Sequence, residues 1–232
     1  SEMCIRDRCS GWRLASAVSN NGGLGLLGAG SMHCDTLTEH IRKMKEATDR
    51  PWGVNVPLLY PEIDKLMGIL ADEQVKIVFT SAGSPKKWTS FLKSHGMTVV
   101  HVVSSALFAK KCEEAGVDAV VAEGFEAGGH NGREETSTLT LIPNVAAHCR
   151  LPLIAAGGIA SGKAMLAAMI LGAEGVQIGS RFAVATESSA HPNFKQQVWK
   201  TPEGGTMLAL KKIAPTRLIK NELYEQVKTL ED

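Results

Sequence analysis

The chain has 232 residues, 44% of them hydrophobic and 21% charged, with a formal net charge of +1. That is an ordinary globular composition with enough length for one large core. Near-neutral charge without a basic stripe among aromatics argues against nucleic acid as a partner, and no apolar run is long enough to predict a membrane span.

Ser1 to Cys9 is polar, lacks periodicity and has no apolar secretory core. It reads as a segment either disordered or foreign to the fold that follows. Trp12 to Ser19 has helical spacing and stops at Asn20-Asn21-Gly22-Gly23. Leu24 to Leu27 is a short strand ending in Gly28-Ala29-Gly30. Thr36 to Thr48 is helical through Leu37, Ile41, Met44 and Ala47. Trp52 to Val56 is a strand, broken by Pro57 and Pro61, and Ile63 to Ala71 is a helix. Lys76 to Thr80 is a strand. After it, Ser84 is the expected N-cap of a helix that has Pro85 at its first position and stops at Gly96.

The alternation continues with strand Thr98–Val103, helix Ala106–Glu114, strand Ala119–Ala122, helix Leu139–Cys149, strand Leu151–Ala156, helix Ser161–Leu171 and strand Gly175–Ile178. From Thr186 onward it stops. There the expectations are helices over His191–Trp199 and Leu218–Leu230, with a turn at Gly204-Gly205.

Seven strands, each separated by one helix, imply parallel pairing with right-handed crossovers. The predicted fold is α/β, a TIM (β/α)8 barrel one strand short. Because the chain opens on a helix, Ser1 to Cys9 stands where a first strand belongs, and no eighth barrel helix is identifiable. A doubly wound open sheet is the alternative. The expected divisions are 1–9, a barrel domain over 10–185, and a partial C-terminal helical segment over 186–232.

Five cysteines, Cys4, Cys9, Cys34, Cys112 and Cys149, show no Cys-x-x-Cys spacing. They fit a reduced, cytoplasmic setting and suggest no metal site. Gly23-Leu-Gly-Leu-Leu-Gly28 spells a dinucleotide fingerprint, but it follows a helix and contains a strand, the reverse of what that motif needs. It reads as a tight helix-to-strand turn.

In a barrel the site lies at the C-terminal strand ends, with phosphate often held after the last two strands. Here those strands end in Ala156-Gly157-Gly158-Ile159 and Gly179-Ser180. Glycine amides approach a phosphate without steric cost, and Ser180 adds a hydroxyl. Asn55 and Gln177 are amides inside apolar strands and need partners; both are placed on the face toward a polar heterocycle. Ala82-Gly83 ends another strand near the same point. The strand Ala119–Ala122 delivers a glycine-rich loop carrying Glu123, Glu126, Gly128, Gly129 and His130. A histidine so placed is a candidate proton carrier near neutral pH.

Three of these segments resemble the nitronate monooxygenase (2-nitropropane dioxygenase) family, which includes the FMN-dependent enoyl-acyl carrier protein reductase II. They are Glu126-Ala-Gly-Gly-His130-x-Gly132, Ala155-Ala-Gly-Gly-Ile159 and Gly175-Val-Gln-Ile-Gly-Ser-Arg-Phe182. Leu14-Ala-Ser-Ala-Val-Ser-Asn-x-Gly-Gly-Leu-Gly25, Gly53-Val-Asn55, Ser81-Ala-Gly-Ser-Pro85 and Ile219-Lys-Asn221 fit as well.

The resemblance implies an FMN-binding barrel. Asn55, Ala82, Gly83, Glu123, Gly128 and Gly129 would line the flavin. Gly157, Gly158, Gly179 and Ser180 would hold its phosphate, with Ser180 in place of the usual threonine. Gln177 would lie near the ring, and His130 would be the catalytic histidine. NAD(P)H is the implied co-substrate, with a small-molecule or acyl-carrier-protein-linked substrate and a homodimer open. Family members begin with a strand bearing Gly-Gly-Met, where this chain has Ser1 to Cys9, and their C-terminal helical segment is mostly absent here. Three activities stand: enoyl thioester reduction, nitronate oxidation with oxygen, and a flavin-binding barrel without turnover.

Overall fold

The computed structural model describes residues 9–30 and 32–231. The reading of the first segment as foreign therefore lies, apart from Cys9, outside the described residues, and the question of a first strand there lies outside them too. From Trp12 on, helices and strands alternate: α1 (Trp12–Asn20), β1 (Gly25–Gly28), α2 (Cys34–Ala47), β2 (Trp52–Pro57), α3 (Ile63–Asp72) and β3 (Ile77–Ser81). Next come α4 (Lys86–Ser94), β4 (Thr98–Val103), α5 (Ala106–Glu114), β5 (Ala119–Glu123) and a two-residue strand β6 (Gly129–His130). They are followed by α6 (Thr138–His148), β7 (Leu153–Ala156), α7 (Gly162–Ile170) and β8 (Gly175–Gln177).

The seven main strands pair in parallel in the order β1-β2-β3-β4-β5-β7-β8. A doubly wound sheet reverses its strand order at a switch point. This sheet never reverses, so that alternative is excluded and the barrel class stands.

Both faces of the sheet are apolar, but they are covered differently. Along β4, Val99 and Val103 join the core under the helices, whereas Val100 and Val102 join a second cluster with Phe79, Val121 and Ala156. Alternation along a strand sends neighbours to opposite faces. Every residue of the second cluster, Leu26, Ile77, Ala119 and Ile154 included, lies on a strand. The curling sheet thus fills its own concave face. On the other side, Leu37, Ile41 and Met44 of α2 and Leu66, Met67 and Leu70 of α3 are fully buried. Each contributes roughly 1.5–3 kcal/mol by leaving water.

The glycine motif before β1 is a packing device. A Cβ at Gly25 would lie 1.9 Å from the Ala15 carbonyl oxygen. Only glycine lets α1 cross β1 this closely, which accounts for the fingerprint-like spelling without a nucleotide.

Two sequence expectations need correction. Pro85, not Ser84, is the N-cap of α4, and no side-chain cap bond forms. The C-terminal region is not only helical. After a short α8 (Ser180–Ala183) and α9 (Pro192–Lys200) it forms β9 (Thr206–Ala209) and β10 (Thr216–Ile219), then α10 (Glu222–Glu231). The helix expected from Leu218 starts later because Asn221 Oδ1 accepts from Tyr224 N at 3.0 Å, a side-chain cap. The residues before it pair instead, in a three-stranded antiparallel sheet ordered β6-β10-β9.

One buried titratable group sits in the sheet itself. His101 is 4% exposed, with Nδ1 2.6 Å from the Thr80 hydroxyl. Burial pushes its pKa down to about 4, against an opposing hydrogen bond to the Gly83 backbone. The unfolded chain takes up this proton below the ordinary value of 6.5, and the folded protein refuses it until about 4. Stability is therefore full above pH 6.5 and falls as pH drops toward 4, by up to about 3 kcal/mol. Urea unfolding between pH 7 and 4.5 should show this loss, and His101→Gln should flatten the profile over that window.

Candidate functional site

Parallel pairing puts the C-terminal ends of all seven strands at one end of the sheet. A cavity of about 250 Å³ opens there, walled by the ends of β1, β2, β5, β7 and β8 and by residues Cys9, Ser10 and Leu14. Ser10 runs beside β1: its carbonyl accepts from Gly28 N at 3.1 Å, and its hydroxyl donates to the Leu26 carbonyl.

Most of the positions singled out from sequence meet in this cavity. Asn55, Glu123, Gly128 and Gln177 line it, as do Gly157, Gly158, Gly179 and Ser180. Val54 and Val56 belong to the helix-side core, and Val176 and Ile178 pack against it. Asn55 and Gln177 therefore face the concave side, as the alternation predicts. Asn55 is buried. Gln177 Oε1 is buried with no hydrogen-bond partner among the described residues, an arrangement that costs free energy until something fills it.

Ala82, Gly83, Gly129 and His130 lie outside the lining of this cavity. Ala82 and Gly83 directly follow β3. Ala82 holds a left-handed φ of 53°, and a Cβ on Gly83 would press on Leu58 at 2.8 Å. Gly129 and His130 form β6, with Gly129 buried and His130 exposed. His130 stands two residues beyond the lining residue Gly128, at the rim rather than in the wall.

That rim is held by the C-terminal hairpin. Thr216 pairs with His130 and Arg217 with Gly129, and Asn131 N donates to the Pro215 carbonyl at 2.8 Å. Arg217 Nε donates to the Phe125 carbonyl at 3.0 Å, and its guanidinium stacks 5.2 Å from the Phe125 ring, an attraction of about 0.5–1 kcal/mol where exposed. The sequence reading gave Arg217 no role, because its partners are some ninety residues away in the chain.

Other contributors were missed for similar reasons. Cys9 lines the cavity. Burial raises its thiol pKa, opposed by a hydrogen bond to Ser188 and the Lys195 charge. The Lys195 ammonium donates to the Ala185 and Ser188 carbonyls, each at 2.8 Å, and fastens the loop that follows α8. Arg181 also lines the cavity and supplies a permanent cation to its wall. Among the described residues, no group of three or more His, Cys, Asp or Glu side chains could hold a metal ion. No described helix is long and apolar enough to cross a membrane.

The turn after β7 is the tightest part of the wall. Gly157 and Gly158 have φ of 101° and 67°, a region that side chains rarely adopt. A Cβ on Gly157 would lie 2.8 Å from both the Gly124 carbonyl oxygen and Thr138 Oγ1.

Comparison with known proteins follows the same geometry. A family profile described as Nitronate monooxygenase matches residues 7–67 and 61–231. A (3aS,4S,5R,7aS)-5-hydroxy-7a-methyl-1-oxo-octahydro-1H-indene-4-carboxyl-CoA dehydrogenase of Mycobacterium tuberculosis is 32% identical over 95% of this chain. A probable nitronate monooxygenase of Bacillus subtilis is 34% identical over 84% of the chain. The chain spans 62% of the first relative's length and 68% of the second's. Among solved structures, FabK from Thermotoga maritima superposes with a TM-score of 0.94 at 40% identity, over 99% of this chain and 73% of that one.

Gly157→Ala should destabilise the protein by roughly 1–3 kcal/mol, from backbone strain and the collision with Gly124. A urea midpoint shift with unchanged m-value checks it. A neutral result would show that the turn relaxes freely.

Proposed function

The chain belongs to the nitronate monooxygenase family, and on that premise we propose that it is an oxidoreductase whose cavity holds FMN. The observation that carries this reading is Gln177 Oε1, buried without a partner in the wall of a glycine-lined cavity. An isoalloxazine edge presents hydrogen-bond donors and acceptors to an amide so placed. Asn55 offers a second buried amide on the same concave face. Gly157, Gly158, Gly179 and Ser180 would receive the phosphate through backbone amides, with the Ser180 hydroxyl beside them. The residues present fit the group.

When bound, FMN supplies the redox step, accepting electrons from one substrate and passing them to another. The rest falls to this chain. The cavity wall orients the substrate over a fixed plane and excludes water from one side. His130, exposed at the rim, is free to hold or deliver a proton through its ring nitrogens, at the carbonyl oxygen or α-carbon of a bound thioester.

Reduction of an enoyl thioester with NAD(P)H is the favoured activity. Support comes from the likeness to FabK of Thermotoga maritima, together with the resemblance to the enoyl-acyl carrier protein reductase II branch of the family. Three stretches also look closest to that branch: Gly53-Val-Asn-Val-Pro-Leu-Leu-Tyr-Pro61, Ala122-Glu-Gly124 and Ala190-His-Pro-Asn193. An acyl group carried on a carrier protein or coenzyme A is the substrate class. Nitronate oxidation is the second reading, favoured by the Bacillus subtilis relative; there His130 would take the substrate proton.

Purified protein titrated with FMN should quench flavin fluorescence; no binding would sink the flavoprotein reading. Under anaerobic conditions, rapid bleaching of bound flavin by NADH or NADPH supports the reductase. Bleaching only by an alkyl nitronate supports the monooxygenase, and bleaching by neither leaves a binding barrel without turnover. His130→Ala should bind FMN normally and lose about 10²–10⁴-fold in turnover. Unchanged turnover would remove His130 from the chemistry.

A further inference from the structure

We infer that Thr138 and Glu126 form a positioning device for the Gly157–Gly158 turn, holding its amides toward the cavity as an anion cradle; that the anion is the FMN phosphate rests on the function proposed above. Thr138 is the first residue of α6 and sits behind the turn, on the side away from the cavity. Its N–H donates to the two carboxylate oxygens of Glu126, at 3.1 and 3.0 Å. Its hydroxyl lies 2.9 Å from the Gly157 carbonyl, 3.0 Å from Glu126 Oε2 and 3.3 Å from the Ala156 carbonyl. One proton is thus shared among three acceptors. The arrangement ties three separate pieces of chain together: the loop after β5, the start of α6 and the end of β7.

The glycines around the pair show how little slack it has. A Cβ on Gly124 would lie 2.2 Å from Thr138 Oγ1 and 2.6 Å from Glu126 Oε2. A Cβ on Gly158 would meet Glu126 Cβ at 3.3 Å. The turn is therefore braced by Thr138 from behind and by the Glu126 stem from the side. With positive φ at both glycines, the turn has many alternative conformations open to it once the brace is removed.

Glu126 has a second effect. The start of a helix is a natural seat for an anion, through its free N–H groups and the helix dipole. The Glu126 carboxylate already fills that seat on α6. Glu126 is itself in the cavity lining, so these bonds hold its carboxylate against the start of α6 while its stem supports the cradle.

The test uses Thr138→Val, which keeps shape and removes the hydroxyl, Thr138→Ser, which keeps it, and Glu126→Ala. Two readouts are needed: the FMN dissociation constant from fluorescence titration, and amide hydrogen exchange of the peptide spanning 155–161 without flavin. In Thr138→Val the dissociation constant should rise about tenfold and exchange in 155–161 should quicken about tenfold, as expected for one lost net hydrogen bond. Peptides of β1 and β2 should not change. Thr138→Ser should stay within about twofold of the unaltered protein, and Glu126→Ala should quicken exchange in 155–161 as the valine variant does, its flavin affinity being set also by the loss of a carboxylate from the cavity lining. If Thr138→Val does not fold, the other two variants decide.

Wild-type exchange and affinity in Thr138→Val would overturn the inference. So would faster exchange spread over the whole sheet, the mark of a merely structural bond. If the unaltered protein binds no FMN, the functional reading fails, and the brace is judged on the exchange data alone.

Discussion

Parallel pairing of the strands in chain order is the constraint on which everything else rests. Each strand must return to the same end of the sheet before the next begins, and the helices make that return. All C-terminal strand ends therefore gather at one rim, and loops from distant parts of the sequence become neighbours. Gly157 and Gly179 are separated by a whole helix and strand, yet they wall one cavity for this reason alone. The curl of the sheet follows from the same pairing, because its inner face is filled by strand side chains and needs no second layer of helices.

The rim is braced at two points, by different means. On one side, α6 reaches across through Thr138 to the turn after β7. On the other, the hairpin of β9 and β10 adds a third strand, β6, and carries His130 on it. Arg217 supplements that pairing by gripping the Phe125 carbonyl and ring. The wall that would meet a phosphate and the rim that would move a proton thus have separate supports. An exposed histidine on a held strand beside a rigid binding wall would be a workable division, since binding needs fixed geometry while proton delivery needs access to substrate and solvent.

The His101 pocket shows how far site and fold are interwoven. Its ring bonds Thr80 and the backbone of Gly83, so it ties β4 to the turn after β3. That turn holds Ala82 in a left-handed conformation and lies outside the cavity lining. The resemblance had placed Ala82 and Gly83 against the flavin. Here the left-handed turn is fastened to β4 by the buried imidazole of His101.

The sequence by itself determined the alternation of seven strands and seven helices, the glycine-lined strand ends, and the inward faces of Asn55 and Gln177. These are local properties: apolar runs, turn residues and a two-residue period act over a few positions and can be read there. It also marked His130 and Glu126 as residues of interest, through a motif five residues long. Only the tertiary structure decided what those residues touch. The strand character of Leu218 and Ile219 depends on partners at Met207 and Thr206, and without those partners the same two residues read as the start of a helix. The pairing of His130 with Thr216, the grip of Arg217 on Phe125 and the brace from Thr138 to Gly157 are all contacts between segments far apart in the chain. No periodicity encodes such contacts, because their energy exists only once the sheet has closed the distance.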